Sequence, residues 1–282
     1  MTFTASTARP DAPIGIFDSG VGGLSVLRHI RAQLPQEDLI YFADSAYAPY
    51  GDKTEEQVIT RSLAITAFLL QQGAKALVVA CNTATIAAIK ALRARYPDLP
   101  IVGVEPGLKP AAAISRNGKI AVLATERALR GDKLLALREQ VSAATGATFI
   151  LQPCIGLADR IEQCELGNDP LDATSAMLER YIAPMLAQGV DTLVLGCTHY
   201  PFVQDAIIRT VRAHTQETVT LVDTGDAVAR QLARLLDAAS LRRINNDDAP
   251  RLQGYTTAKV ESLTQAFAGL LDLHPPVAHL SV

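Results

Sequence analysis

Twice in this chain a short apolar run stops at a cysteine and gives way to small hydroxyl- and amide-bearing residues. The copies are Ala76-Leu-Val-Val-Ala-Cys-Asn-Thr-Ala-Thr85 and Thr192-Leu-Val-Leu-Gly-Cys-Thr-His-Tyr-Pro201. In each, a glycine, Gly73 or Gly189, stands at the same distance before the cysteine. A short apolar run followed by a helical pattern reads as a strand buried on both faces, the mark of a parallel sheet. Related units recur. Apolar runs at 14–17, 39–42, 101–104, 120–124, 148–151 and 218–222 run into Asp18, Asp44, Glu105, Thr125 or Asp223 and their neighbours. Helical periodicity is expected over 55–72, from about 86 to 95, from 125 to about 144, over 172–188, from near 202, from about 227 to 236, and to about 271. Strands alternating with helices predict parallel sheets with right-handed crossovers. The expected fold class is α/β, with two similar Rossmann-like domains and mainly parallel sheets.

The pattern restarts near residue 108. Residues 14–107 plus 223–282 are therefore expected to form the first domain, residues 108–222 the second, and residues 1–13 a flexible tail. The run Asn245-Asn-Asp-Asp248 reads as a loop. Nearly half the residues are hydrophobic, enough for a sizeable core. A net charge of −3 and the lack of tryptophan argue against nucleic acid or an anionic membrane as partner. No apolar run reaches membrane-spanning length, and the polar start lacks the pattern of a secretion signal, so a cytoplasmic protein is expected. Its four cysteines, Cys81, Cys154, Cys164 and Cys197, form no CxxC pair and match no zinc spacing. Free thiols and no metal are expected.

In open α/β sheets ligands bind beyond the carboxyl ends of the strands, which is where the unusual residues fall. Asp18-Ser-Gly-Val-Gly-Gly lacks the lysine of a P-loop and does not fit GxGxxG. It reads either as a capped strand-to-helix turn or as a backbone cradle for a carboxylate, with Asp18 facing the ligand. A single cysteine on a strand is more often core than catalyst. Cys81 and Cys197 differ by being a matched pair, each at a strand end and each expected before a polar loop and a helix start that favours thiolate. Cys154 and Cys164 lack that context. His199 and Glu162 each have a structural reading as well, a hydrogen-bonded histidine and a solvated carboxylate.

Two thiols suit acid–base chemistry at one carbon. Inverting a Cα centre means removing a proton from one face and delivering one to the other. Two bases do this with the substrate fixed, and a thiol needs only modest tuning to work near neutral pH. Backbone N–H groups, Asn82, the threonine hydroxyls and His199 could stabilise developing charge. No lysine or phosphate cup suggests pyridoxal phosphate, so no cofactor is expected. The rivals are a two-domain binding protein for a small anion and a Cys/His hydrolase, each needing one cysteine at most.

The motifs Asp18–Ser25, Pro49-Tyr-Gly51, Ala80–Thr85, Gly103-Val-Glu-Pro106 and Gly196–Pro201 occur in the order of a known family. On them the chain resembles the glutamate racemases of the cofactor-independent aspartate/glutamate racemase superfamily, over about residues 14–271. The resemblance implies two α/β domains with the site in the cleft between them, interconversion of L- and D-glutamate, and supply of D-glutamate to peptidoglycan synthesis. It implies that Cys81 deprotonates D-glutamate and Cys197 L-glutamate, assisted by Asp18, Glu162 and His199. It makes Asp18, Ser19, Tyr50, Gly51, Asn82, Thr83, Thr85, Thr198 and His199 the substrate cradle. A racemase for aspartate or another amino acid is the alternative within the fold, and the oligomeric state, a homodimer included, is left open. The chain departs from the family's usual threonine pattern with Ala124-Thr-Glu126 and Ala128, and over residues 153–166.

Overall fold

The computed structural model describes residues 9–165, 171–244 and 249–281. The chain forms two compact units, one of residues up to 105 and from 225 onward, the other of residues 106–224. In the first unit β1 (Ile14–Asp18), α1 (Leu24–Gln33), β2 (Leu39–Ala43), α2 (Glu55–Gln71), β3 (Ala76–Val79), α3 (Asn82–Arg95) and β4 (Ile101–Gly103) alternate. The second contains α4 (Leu108–Ile114), β5 (Lys119–Ala124), α5 (Glu126–Arg130), α6 (Asp132–Thr145), β6 (Thr148–Pro153), α7 (Leu157–Glu165), α8 (Leu171–Leu186), β7 (Thr192–Leu195), α9 (Gln204–His214) and β8 (Thr220–Asp223). The chain then returns to the first unit with α10 (Gly225–Ala238), β9 (Leu252–Thr256), α11 (Val260–Leu271) and β10 (Val277–His279).

Among the described residues the first sheet has the order β10-β9-β2-β1-β3-β4 and the second β6-β5-β7-β8, with every neighbouring pair parallel. The strands β1, β2, β3 and β7 are buried at every residue, which is why their sequences are apolar without alternation. The edge strand β8 starts exposed, and its apolar run is correspondingly weaker. The two glycines before the cysteine strands share one backbone role. Gly73 and Gly189 both take positive φ, +86° and +79°, in the tight turn that feeds β3 or β7, a conformation that side chains with a Cβ disfavour. Among the described residues no helix is long and apolar enough to cross a membrane.

Several elements differ from expectation. The helix after β3 starts at Asn82 rather than near Ile86, because Cys81 is itself the N-cap and removes the expected polar loop. The single helix expected from 125 to 144 is two, α5 and α6, broken where Gly131 takes an extended conformation. The helices α4 and α7 and the strand β10 were not anticipated; α4 and α7 are short and β10 has three residues, too few for periodicity to register. Cys197 does not start an α-helix: a turn and the one-turn helix Tyr200–Val203 separate it from α9. The start of the chain is held rather than frayed from residue 9, with the Pro13 carbonyl accepting the Lys75 N–H at 2.9 Å and the Pro10 carbonyl accepting the buried Lys75 ammonium. The expected loop at 245–248 and the side chain of Cys164 lie outside the described residues.

Candidate active site

Parallel register places the first group of candidate residues side by side. Asp18 pairs with Ala43 and Phe17 with Val79, so Asp18, Asp44 and Cys81 all lie at the carboxyl ends of adjacent strands. The turn after β1 wraps onto Asp18. Its Oδ2 accepts the N–H of Gly23 at 2.9 Å and of Gly20 at 3.3 Å. Gly23 must be glycine, since a Cβ there would lie 2.7 Å from the Asp18 Cβ and 2.9 Å from that of Ala80. Of the two readings of this motif, a capped turn and a carboxylate cradle, the described bonds show a turn that closes on its own aspartate, with Ser19 half-buried beside it.

Cys81 is buried, and its Sγ lies 3.5 Å from the Ser19 hydroxyl and accepts the Ala84 N–H at 3.5 Å. Burial and the nearby Asp18 carboxylate push the Cys81 thiol up to about 12, against the pull of the hydrogen bonds from Ser19 and Ala84. The helix start was expected to favour thiolate; here desolvation and the Asp18 charge outweigh it. Asn82 and Thr83 occupy the first two positions of α3, half-buried. Thr85 is committed to the backbone: its hydroxyl donates to the Val79 carbonyl at 3.2 Å and accepts the Val104 N–H at 3.1 Å, tying the ends of β3 and β4. Tyr50 and Gly51 lie in the one-turn helix Tyr50–Asp52, which packs on α3. The Tyr50 ring is buried in the same cluster as Cys81, and its hydroxyl donates to Asp44 at 2.6 Å.

The second group sits in the other unit. Beyond β7 the chain turns at Cys197, with the Tyr200 N–H bonded to the Cys197 carbonyl at 3.1 Å. This turn folds His199 back on the cysteine, so that its Nδ1 lies 3.7 Å from the Sγ. Sequence proximity alone had not implied this. The His199 Nε2 lies 3.2 Å from a Glu162 carboxylate oxygen on α7. Burial works against a charge on His199, but its hydrogen bonds to Cys197 and Glu162 win and hold the imidazole well above its usual 6.5. Thr198 is buried in the same turn. Thr125 caps α5 by accepting the Ala128 N–H at 3.3 Å, which accounts for its hydroxyl oxygen locally. Cys154 is packed in the core beside Cys197, and burial pushes its thiol up to about 12.

The two thiols thus stand at matched strand ends with unlike neighbours, a carboxylate and a helix start for Cys81, a histidine–glutamate relay for Cys197. A sequence model of the family described as Asp/Glu/Hydantoin racemase matches residues 14–232. The chain belongs to this family. It is a racemase, and hence an isomerase by class. The glutamate racemase of Pseudomonas paraeruginosa is 47% identical over 275 residues, covering 98% of this chain and all of that one. Among solved structures, the racemase resembles the glutamate racemase isoform RacE1 of Bacillus anthracis with a TM-score of 0.83, at 28% identity, over 97% of this chain and 99% of that one. It resembles the Escherichia coli glutamate racemase, solved with L-glutamate and the activator UDP-MurNAc-ala, with a TM-score of 0.81 at 31% identity, over 96% and 99% of the two chains.

Among the described residues of this racemase no three His, Cys, Asp or Glu side chains converge to hold a metal ion. A surface cavity of about 720 Å³, lined by Ile208, Val211, Arg212, Glu217 and Leu221 among others, contains none of the candidate residues. Sequence reasoning missed a group next to the site. Asp44 is fully buried, and besides Tyr50 it takes both arms of Arg61, Nη2 to Oδ1 at 2.6 Å and Nε to Oδ2 at 3.0 Å. Thr257, from the returning segment, donates to the same carboxylate at 3.0 Å. The only sequence signal for this group was an aspartate at a strand end just before the Pro49-Tyr-Gly51 motif.

Proposed function

We propose that this racemase interconverts L-glutamate and D-glutamate by two-base proton transfer, with Cys81 and Cys197 as the bases and no cofactor. The observation that carries the reading is the difference in surroundings of two otherwise matched thiols. Cys197, beside a charged imidazole, acts as thiolate on L-glutamate. It takes the Cα proton, the C–H electron pair stays on carbon, and the Cys81 S–H delivers its proton to the opposite face. D-glutamate leaves with Cys81 as thiolate and Cys197 as thiol. The reverse reaction exchanges the roles, so that protons balance and no redox step is needed.

Asp18 and the His199–Glu162 pair are the groups that assist the two thiols. Ser19, the Tyr50–Gly51 turn, Asn82, Thr83 and Thr198 form the substrate cradle, with N–H groups at the start of α3 offering donors to a carboxylate. Thr85 serves the cradle indirectly, by holding the strand ends on which it stands. Glutamate rather than aspartate is favoured by the high identity to glutamate racemases along nearly the whole chain. The product is suited to supply D-glutamate to peptidoglycan synthesis in the cytoplasm, with consequences for cell-wall biogenesis and cell shape.

Circular dichroism of L- and D-glutamate incubated with the pure protein tests the reading. Loss of optical signal from both enantiomers toward a common zero is expected. A panel including aspartate and alanine decides the substrate. Turnover of aspartate alone would move the assignment to the alternative racemase, and a tight complex without turnover would move it to a small-anion binding protein.

A further inference from the structure

We propose that Asp44, held by Arg61 and Thr257, is the positioning group for the Tyr50–Gly51 turn of the substrate cradle, which makes the returning strand β9 and the residue after it a working part of the site. This rests on the glutamate racemase reading above and extends it to residues that no motif singled out.

The geometry has three parts. The first is the seat of Asp44. Its N–H bonds the Asp18 carbonyl at 3.0 Å, so the residue is fixed to the strand end that carries the Asp18 turn. The second is the load on its carboxylate. Four hydrogen bonds converge there, one from the Tyr50 hydroxyl at 2.6 Å, two from Arg61 at 2.6 and 3.0 Å, and one from Thr257 at 3.0 Å. A fully buried carboxylate is tolerated only when paired and bonded in this way. The third is how the network grips the loop. The Thr257 hydroxyl also accepts the Ala46 N–H at 3.0 Å, and the Thr257 N–H bonds the Ala43 carbonyl at 3.1 Å. The Arg61 guanidinium lies 3.7 Å from the centroid of the half-exposed Tyr47 ring. Both ends of the segment from Ala43 to Tyr50 are therefore pinned to one carboxylate.

Tyr50 does not have a spare hydroxyl proton for substrate, since it is donated to Asp44. Its contribution is the placement of its ring on α3, against Cys81, and of the backbone that follows it. The turn packs on α3, and its base is fixed through the Tyr50 hydroxyl to the Asp44 carboxylate, so a change at that anchor shifts the backbone on which Gly51 stands. Loosening that anchor should weaken glutamate binding before it impairs proton transfer, since the thiols and their partners lie on other elements.

Arg61→Gln, Thr257→Val and Tyr50→Phe test this, with Arg61→Lys as the conservative control. Racemisation kinetics, melting temperature and active-site titration are measured together. The expected result is a KM for glutamate raised at least about tenfold, the loss of one hydrogen bond to a charged group. kcat per titrated site should change much less, and Arg61→Lys should restore part of the loss. A purely structural role would lower the melting temperature or the active fraction and leave KM unchanged in the molecules that remain folded; that result overturns the proposal. Should Arg61→Gln not fold, Thr257→Val and Tyr50→Phe still decide, as each removes a neutral hydroxyl donor to Asp44 and leaves the Arg61–Asp44 ion pair in place. A wild-type protein that fails to racemise glutamate would refute the underlying function instead, which keeps the two failures apart.

Discussion

At the scale of the residue, the site rests on unequal treatment of two cysteines. The Cys81 thiol is pushed up to about 12 by burial and by Asp18, which suits the acid role proposed for it in the L-to-D direction, whereas Cys197 has a charged partner in His199. Cys81→Ala and Cys197→Ala should each lower racemisation by more than about a hundredfold, the scale of general acid–base catalysis. Cys81→Ala should still exchange the Cα proton of L-glutamate with D2O without inverting it, and Cys197→Ala should do so for D-glutamate. Proton NMR of recovered substrate checks both; equal exchange of both enantiomers by one variant would sink the two-base assignment. Glu162→Gln should move the alkaline limb of the L-to-D profile to lower pH, because it removes the carboxylate charge that helps keep His199 protonated. Initial rates across neutral to alkaline pH read this directly. Stability carries the same signature. Protonated His199 is favoured in the fold, so its contribution is fully present below about pH 6.5 and fades as pH rises through its raised folded value. The gap in denaturation midpoint between wild type and His199→Asn should therefore narrow on going alkaline.

At the scale of the element, helix starts and strand ends carry different loads. The helix α2 begins with a capping box in which Thr54 accepts the Gln57 N–H at 3.2 Å and the Gln57 side chain accepts the Thr54 N–H at 2.9 Å. Thr54→Ala should cost about 1 kcal/mol of stability and leave turnover intact, as measured by denaturant melts beside activity. Gly23→Ala should do the opposite. The new Cβ would press on the Asp18 Cβ and the Tyr41 hydroxyl, 2.7 and 2.9 Å away, and shift the turn whose N–H groups bind the Asp18 carboxylate. Activity should fall by more than any loss of stability explains.

At the scale of the whole molecule, the first unit is assembled from two distant stretches of chain, and a buried ionic group locks them together. Lys75 is fully buried against Glu37 at 2.5 Å, and Glu37 also accepts the Arg243 N–H at 2.9 Å. Next to it Asp38 pairs with Arg243 at 2.7 Å and with Arg251 at 2.8 Å. Lys75→Met strands the Glu37 charge and should cost about 3–5 kcal/mol. Adding Glu37→Leu should recover part of that loss, and a double-mutant cycle by urea denaturation measures it. A double variant no more stable than Lys75→Met would show that the pair acts through other groups.

Much of this protein is legible in its sequence. Buried parallel strands are written as unbroken apolar runs, because both faces are covered, and the ligand end of such a strand is written as the residues just after the run. That is enough to single out Cys81, Cys197, Asp18 and His199 as candidates, and the order of the motifs points to the family. Short elements such as α7 and β10 carry too few residues for a period to show, so the helix that brings Glu162 to His199 had no local signal. Whether a hydroxyl faces a ligand or the backbone is likewise not a local property: Thr83 and Thr85 read alike, yet Thr85 is spent on Val79 and Val104. The anchoring of Tyr50 by residues as far apart as Asp44 and Thr257 belongs wholly to the tertiary structure. Strand identity and the choice of candidate site residues follow from short-range pattern, which one stretch of chain contains. Proton affinities and hydrogen-bond partners depend on burial and on distant neighbours, which only the packed chain supplies.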